Sequence, residues 1–292
     1  MAGLKEIRTR IASVTSTRKI TSAMKMVAAA KLRKSQDKIV QLRPFANKLD
    51  EILSNVRRSL EGEIENPLIQ DRQPEKVLIV LVTSNRGLCG ALNSNAIKKA
   101  LSQAKETYSE QFKKGNLSFY AIGKKGADYL NLYKYQVVDI NNEIYDHLDF
   151  ESAADLAQKF MNQFVEGEFD RIDFVYNQFK NAAVQNVLAE TFLPLSIEEE
   201  AEKPTKNFDS IIEPDENYLV QNLIPRSLKT KLFKILLDSY TSEHGARMTS
   251  MHQATDNAND LIRELSLHYN KARQASITKE LLDIVGGAEA LK

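Results

Sequence analysis

From residue 248 to residue 292 the chain reads MTSMHQATDNANDLIRELSLHYNKARQASITKELLDIVGGAEALK, with no Pro and no Gly before Gly286. Apolar or small residues recur at Met251, Ala254, Ala258, Leu261, Leu265, Ala272 and Ala275. Alternating steps of three and four mark the narrow seam of a coiled coil, not the broad stripe of a helix lying on a globule. His268, Arg273 and Gln274 interrupt it. A helix of this kind needs a partner, and the other end of the chain offers one. Leu4, Ile7, Ile11 and Val14 open a second alternation. It continues through Arg18, Thr21, Lys25, Ala28, Leu32, Ser35, Ile39, Leu42, Ala46, Leu49, Leu53, Val56 and Leu60, and thirteen of the seventeen positions are apolar. The exceptions cluster. Arg18, Thr21 and Lys25 break the seam, while Ile20, Ala23, Met24 and Val27 carry apolar surface to a neighbouring face. Such a shift is expected where a helix meets something other than its coiled-coil mate. Pro44 is expected to kink the helix or mark a joint.

Between the two helices the period changes. Residues 61–76, with Gly and two Pro among many charges, read as linker. The run VLIVLV at 77–82 reads as a buried strand. Helix is expected over 95–108, strand over 117–122, a short helix over 125–132 and strand over 135–140. Helix then follows over 153–165, strand over 171–176, and a further strand over 185–195. Alternating strand and helix argues for an α/β domain with a mostly parallel sheet. The expected architecture is α/β: a long antiparallel coiled coil of N- and C-terminal helices that protrudes from an inserted Rossmann-like α/β domain. Its parts are an N-terminal coiled-coil helix at 1–60, the α/β domain at 75–195, an acidic connection at 196–217 and a C-terminal coiled-coil helix at 218–292. The connection is a loop or an edge hairpin around 208–212. Pro225 marks a candidate true start of the last helix, and Gly245 a weak point within it.

The chemistry expected of this chain is sparse. Four His and one Cys show no metal-ligand spacing. Cys89 rules out an internal disulfide and reads as a small buried hydrophobe. His244 beside Glu243, and His252 with Asp256 one turn on, read as surface pairs rather than catalytic dyads. The opening MAGLKEIRTR has no apolar core and reads as structure, not as a secretory signal. Asn85-Arg86-Gly87-Leu88-Cys89-Gly90 follows a strand and precedes a helix, where α/β folds cradle phosphates. No Gly-Lys-Ser/Thr follows, so a tight strand-to-helix turn is the simpler reading. Net charge is +1, but residues 1–43 carry eleven Lys or Arg against Glu6 and Asp37. Residues 197–217 carry eight acids against Lys203 and Lys206. A basic helix wants an acidic partner, or is the solvated face of a coiled coil.

Three segments carry a resemblance. ARMTSMHQATDNA with YNKARQASITKELLDIVGGAEAL at the C-terminus resembles the signature of the gamma subunits of F-type ATP synthases. IRTRIASVTSTRKITSAMKMVAAAKLRKSQ resembles that family's opening helix, and TSNRGLCGALN its first strand-to-helix loop. The resemblance implies a rotating central stalk without an active site or cofactor of its own. The coiled coil would stand inside a ring of alternating alpha and beta subunits, and the α/β domain would contact the epsilon subunit and the membrane c-ring. It also implies a peripheral location at the cytoplasmic face of a bacterial inner membrane. Arg273, Gln274, Thr278 and Glu280 match a motif that contacts a catalytic-subunit loop. Lys19, Met24 and Lys25 match a second block, with Arg247 and Met251 opposite. Arg86, Gly87, Leu88, Cys89 and Gly90 form a possible subunit-contact loop, in which Asn85 replaces the usual acid.

Two other classes compete. One is a nucleotide-binding α/β enzyme with a coiled-coil dimerisation arm, which a Walker-type loop would favour. The other is a nucleic-acid binder using the basic N-terminal helix, against which no aromatic residues interleave with the basic ones.

Overall fold

The computed structural model describes residues 3–59, 66–70, 72–195 and 216–289. The acidic connection, with the hairpin considered at 208–212, lies outside the described residues except at its last positions. Two compact units emerge: residues 1–29 with 247–292, here the paired-helix unit, and residues 30–246, the sheet unit. Helix α1 (Leu4–Ser59) and the last helix, α6 (Glu216–Glu289), each contribute to both.

The sheet unit is built on strand β1 (Val77–Val82), all six of whose side chains are buried. Val77, Ile79 and Leu81 face one core; Leu78, Val80 and Val82 face another. Burial on both faces explains the uninterrupted apolar run. Each such side chain contributes about 1.5–3 kcal/mol relative to exposure. Beside β1 lie β2 (Leu117–Ile122) and β3 (Val137–Asn141) on one side, and β4 (Arg171–Phe179) and β5 (Gln185–Leu193) on the other. The order is β3-β2-β1-β4-β5; the first four strands are parallel, and β5 runs antiparallel to β4.

Helix α2 (Leu92–Glu106) and α4 (Lys124–Leu132) fill the core that takes Ile79, with the short α3 (Ser109–Lys114) between them in sequence. Helix α5 (Phe150–Val165) fills the opposite core, where Phe160, Phe174 and Phe192 meet edge to face. That same core takes Ile224, Leu228, Leu232, Ile235 and Leu236 of α6. Asp149 caps α5, its carboxylate accepting from Ser152 N at 2.8 Å.

Several expectations need correction. Helix α1 runs on through Pro44, so that residue marks no joint between elements. Pro44 and Val40 lie on its exposed side, where water can take the carbonyl that the missing N–H frees. Pro225 is likewise inside α6, not at its start. The stretch read as linker is partly core: Leu68 is buried, and its carbonyl accepts from Leu195 N at 2.8 Å. Glu243 and His244 are buried, the imidazole packing edge-on against Tyr240. They are not surface residues, because α6 between Ile224 and Ala246 is enclosed on nearly every side.

Candidate functional site

In the paired-helix unit the positions Leu4, Ile7, Ile11, Val14, Arg18, Thr21, Lys25 and Ala28 are all buried or half-buried. The seam therefore does not shift at Arg18; it stays in register and becomes polar. Arg18 Nη1 donates to Asn259 Oδ1 at 3.2 Å. The hydroxyls of Thr21 and Thr255 lie 2.8 Å apart, and Lys25 Nζ lies 3.3 Å from His252 Nδ1. Pairs whose numbers fall on one helix as they rise on the other make the coiled coil antiparallel. On α6 the seam is Met251, Thr255, Ala258, Ile262, Leu265, Tyr269, Ala272 and Ser276. Leu261 and Ala275 of the expected seam are exposed, as are His268, Arg273 and Gln274, which therefore interrupt nothing.

Beside this polar stretch, and next to the exposed Lys19, runs an apolar stripe. Ile20 is 61% exposed and Val27 58%, with exposed Ala23 between them one helical step from each. Apolar surface returns at the end of α6, where Ile277, Leu281, Leu282, Ile284 and Val285 are all exposed. The antiparallel register brings Leu4 level with residue 272, so α6 runs on past the first residue of α1.

The residues singled out by resemblance fall into three settings. Lys19, Arg273, Gln274, Thr278 and Glu280 are exposed. Thr278 Oγ1 donates to Gln274 O at 2.9 Å, and Ser276 Oγ to Glu280 Oε1 at 3.4 Å, so α6 satisfies part of this motif internally. Met24 and Lys25 are half-buried, and Arg247 and Met251 are buried. The exposed stripe at Ile20, Ala23 and Val27 was legible as a displaced apolar face but not as site residues.

The loop after β1 is closed by its own side chains. Ser84 N donates to Asn93 Oδ1 at 2.9 Å, and Asn93 Nδ2 to Ser84 Oγ at 2.7 Å. Leu88 and Gly90 both take positive φ, and Leu88 is exposed while Cys89 is buried. The amide of Asn85 uses both ends: Nδ2 donates to Asn142 O at 2.7 Å, and Oδ1 accepts from Lys124 N at 3.0 Å. A carboxylate there would keep the second bond and lose the first, so the departure from the usual acid has a local reason. Gly123 and Gly126 let α4 approach this loop, since a Cβ on Gly123 would stand 2.1 Å from Thr83 O.

Ligands of open α/β sheets bind beyond the carboxyl ends of the strands, where the connections change direction. Here that point lies between β1 and β4. It is filled by the chain itself. Cys89 and Leu92 pack on Ala246 of α6, and a Cβ on Gly245 would stand 3.3 Å from Ala182 Cα, in the turn after β4.

A sequence profile of the ATP synthase family matches residues 3–291. The chain is 52% identical over 292 residues to the ATP synthase gamma chain of Flavobacterium psychrophilum, covering 100% of both. With that of Flavobacterium johnsoniae it shares 53% over 291 residues, 100% of this chain and 99% of the other. Among solved structures, one chain from the rotor of the Euglena gracilis mitochondrial ATP synthase superposes with a TM-score of 0.64 at 22% identity, covering 94% of this chain and 98% of that one. Another, from the OSCP/F1/c-ring structure of the same enzyme, gives 0.68 at 22%, over 99% and 94%.

Proposed function

The chain belongs to the ATP synthase gamma-chain family, and from that premise we propose that it is the rotating central stalk of an F-type ATP synthase. It couples proton-driven rotation of a membrane c-ring to ATP synthesis and hydrolysis in a ring of alpha and beta subunits. The observation that carries the reading is the apolar surface of the paired-helix unit. Ile20, Ala23 and Val27 on α1 face outward from the pair, and Ile277, Leu281, Ile284 and Val285 are exposed on the part of α6 that runs on past α1. Hydrocarbon left outside a seam that is itself closed marks a surface for a partner. Ile20 is 61% exposed and Val27 58%, so covering what remains of each is worth about 1–2 kcal/mol. The surrounding ring of alpha and beta subunits is the partner that supplies such cover, and Lys19, Arg273, Gln274 and Glu280 contribute charge and hydrogen bonds to it.

In free-energy terms the stalk is a ligand of the catalytic subunits. It binds their open and closed forms differently at each angle, so turning it changes their affinity for ADP, phosphate and ATP in sequence. A stalk contacting every catalytic subunit identically would shift nothing. The catalytic chemistry belongs to the ring. Supporting that division, α6 occupies the place where a doubly wound sheet would hold a nucleotide. The sheet unit, with the loop at Arg86, Gly87, Leu88, Cys89 and Gly90, faces the epsilon subunit, the c-ring and the lower loops of the ring. No helix among the described residues is long and apolar enough to cross a membrane. We place the chain at the cytoplasmic face of a bacterial inner membrane, held there through its contacts with the c-ring.

The test is Mg-ATPase activity of purified alpha and beta subunits with and without this chain, beside the chain alone. Activity that depends on the mixture supports the reading. Hydrolysis by the chain alone would return the loop after β1 to consideration as a nucleotide site.

A further inference from the structure

Within the sheet unit, helix α6 carries two neighbouring cations that the fold does not use. Arg226 and Lys229 lie three residues apart, on one face of the helix. Lys229 is half-buried, yet among the described residues its ammonium makes no ion pair and no hydrogen bond. The guanidinium of Arg226 meets a ring instead of an acid: it lies over Phe45 of α1, 5.7 Å from the centroid. The next cations along α6 are spent differently. Lys231 bridges Glu190 at 2.9 Å, and Lys234 acts on the buried carboxyl of Asp238. Two like charges a turn apart repel each other, the more so where one is half out of water. An anion between them removes that cost.

The pair lines an open cleft of about 640 Å³ together with Phe45, Phe150, Gln221 and Pro225. A space of that size suits a small ligand or the head of a larger one. Both rings are 45% exposed. Phe150 stands edge-on to Phe233, with ring centroids 5.8 Å apart. Ile52 lies on the face of α1 that carries Phe45, two turns on, and is exposed as well. Of the two acids flanking Phe150, Asp149 is committed to the amide of Ser152, and Glu151 is exposed without an ion pair among the described residues. The cleft therefore sets unpaired positive charge beside uncovered hydrocarbon.

We propose that this cleft binds an anionic phospholipid. Arg226 and Lys229 donate to the oxygens of its headgroup phosphate, and the Phe45 and Phe150 rings cover the adjoining hydrocarbon. Stacking on Phe45 occupies a face of the guanidinium and leaves its N–H edge for the phosphate, while Lys229 adds a point charge. A lipid answers both halves of the cleft, charge and hydrocarbon; a free phosphate answers only the first. The bound lipid gives the chain a hold on the membrane that does not pass through the c-ring. The choice of a lipid as the source of the anion rests on the membrane placement proposed above, whereas the cleft and its unpaired cations do not.

Sedimentation of the full chain with vesicles tests it, using phosphatidylcholine with and without phosphatidylglycerol. The chain should bind the phosphatidylglycerol vesicles and stay in solution with phosphatidylcholine alone. Arg226→Gln/Lys229→Gln should weaken binding about tenfold or more, and Phe45→Ser about threefold. Helicity and thermal midpoint should be kept, since none of these side chains is fully buried. Arg33→Gln/Lys34→Gln, which removes two exposed cations of α1 outside the cleft, should bind as the parent does. An equal loss in that control would reduce the attraction to diffuse charge and overturn the site. Absent binding to phosphatidylglycerol, or equal binding to both vesicles, would overturn it too. Soluble competitors separate the sources of the anion. Displacement from vesicles by glycerol phosphate would make this a free-phosphate site, and displacement by polyglutamate a site for an acidic peptide; either would overturn the lipid. The Mg-ATPase of the reassembled ring needs no vesicles, so a failure here and a failure of the central-stalk reading are told apart.

Discussion

Helix α6 meets two environments along its length. Between Ile224 and Ala246 most side chains are buried, including Asp238, Ser239, Thr241, Ser242 and His244. Between Met251 and Ser276 protection is confined to the seam positions, with Ala254, Asn259 and Ser266 beside them, and the other residues face outward. The first stretch behaves like the core of a domain and the second like one strand of a rope. In the enclosed stretch a polar group must find its partner inside the protein. In the paired stretch only the seam carries that demand, and it meets it with the pairs at Arg18, Thr21 and Lys25.

The comparison can be broken first by removing equal volumes from the two stretches. Leu232→Ala opens a cavity in a fully enclosed site and should cost about 2–5 kcal/mol. Leu265→Ala removes the same atoms from a half-buried seam and should cost about 1 kcal/mol. Chemical denaturation of both variants measures the difference; equal losses would mean that the stretches do not differ as described.

A buried ionisable group sharpens it next. Burial pushes the Asp238 carboxyl above its ordinary value of 3.8, while the Arg43 guanidinium, 3.6 Å from Oδ1, and Lys234 pull it back. The folded protein thus holds that proton more tightly than the unfolded chain. The resulting stability is present below the ordinary value and is lost as pH rises through the folded one. Asp238→Asn should therefore gain on the parent as pH is raised from about 4, measured as denaturant midpoints. An advantage that shrinks with rising pH would reverse the sign assigned to burial. Outside, His252 and Asp256 are 58% and 59% exposed, so Asp256→Asn should shift the midpoint by less than about 0.5 kcal/mol at any pH.

Two glycines of α6 give effects of opposite sign. Gly286→Ala meets nothing within 4 Å, so helix propensity should stabilise it by about 0.5–1 kcal/mol. Gly245→Ala gains the same propensity but presses on Ala182 Cα at 3.3 Å, and should lose about 1–2 kcal/mol net. Thermal midpoints read both.

The sequence made the α1 seam legible down to individual positions because helical period is a backbone property that a long pattern averages well. It misplaced the α6 seam. Leu261, Ile262, Leu265 and Leu267 supply apolar residues in several phases, and only the partner helix chooses among them. Polar residues in the α1 seam looked like a break because hydropathy does not see that Thr21 has a hydroxyl opposite it. The capping signal at Asp149 was readable and places the start of α5 at Phe150, earlier than the apolar pattern suggests. The burial of Glu243 and His244 was not readable: it arises from elements packed around α6 that are distant in sequence. The strand-to-helix loop was legible as a turn, while the filling of the crevice by Gly245 and Ala246 emerges only with the fold.

The central claim is that outward-facing hydrocarbon on the paired-helix unit is where the stalk engages its ring. The most direct measurement is Mg-ATPase activity of alpha and beta subunits reassembled with Ile20→Asp/Val27→Asp, set beside the unfolding midpoint of the chain alone. The account predicts a loss of about tenfold or more in activity with the midpoint unchanged, because both side chains already face water in the isolated chain. Full activity from the doubly charged variant would contradict it.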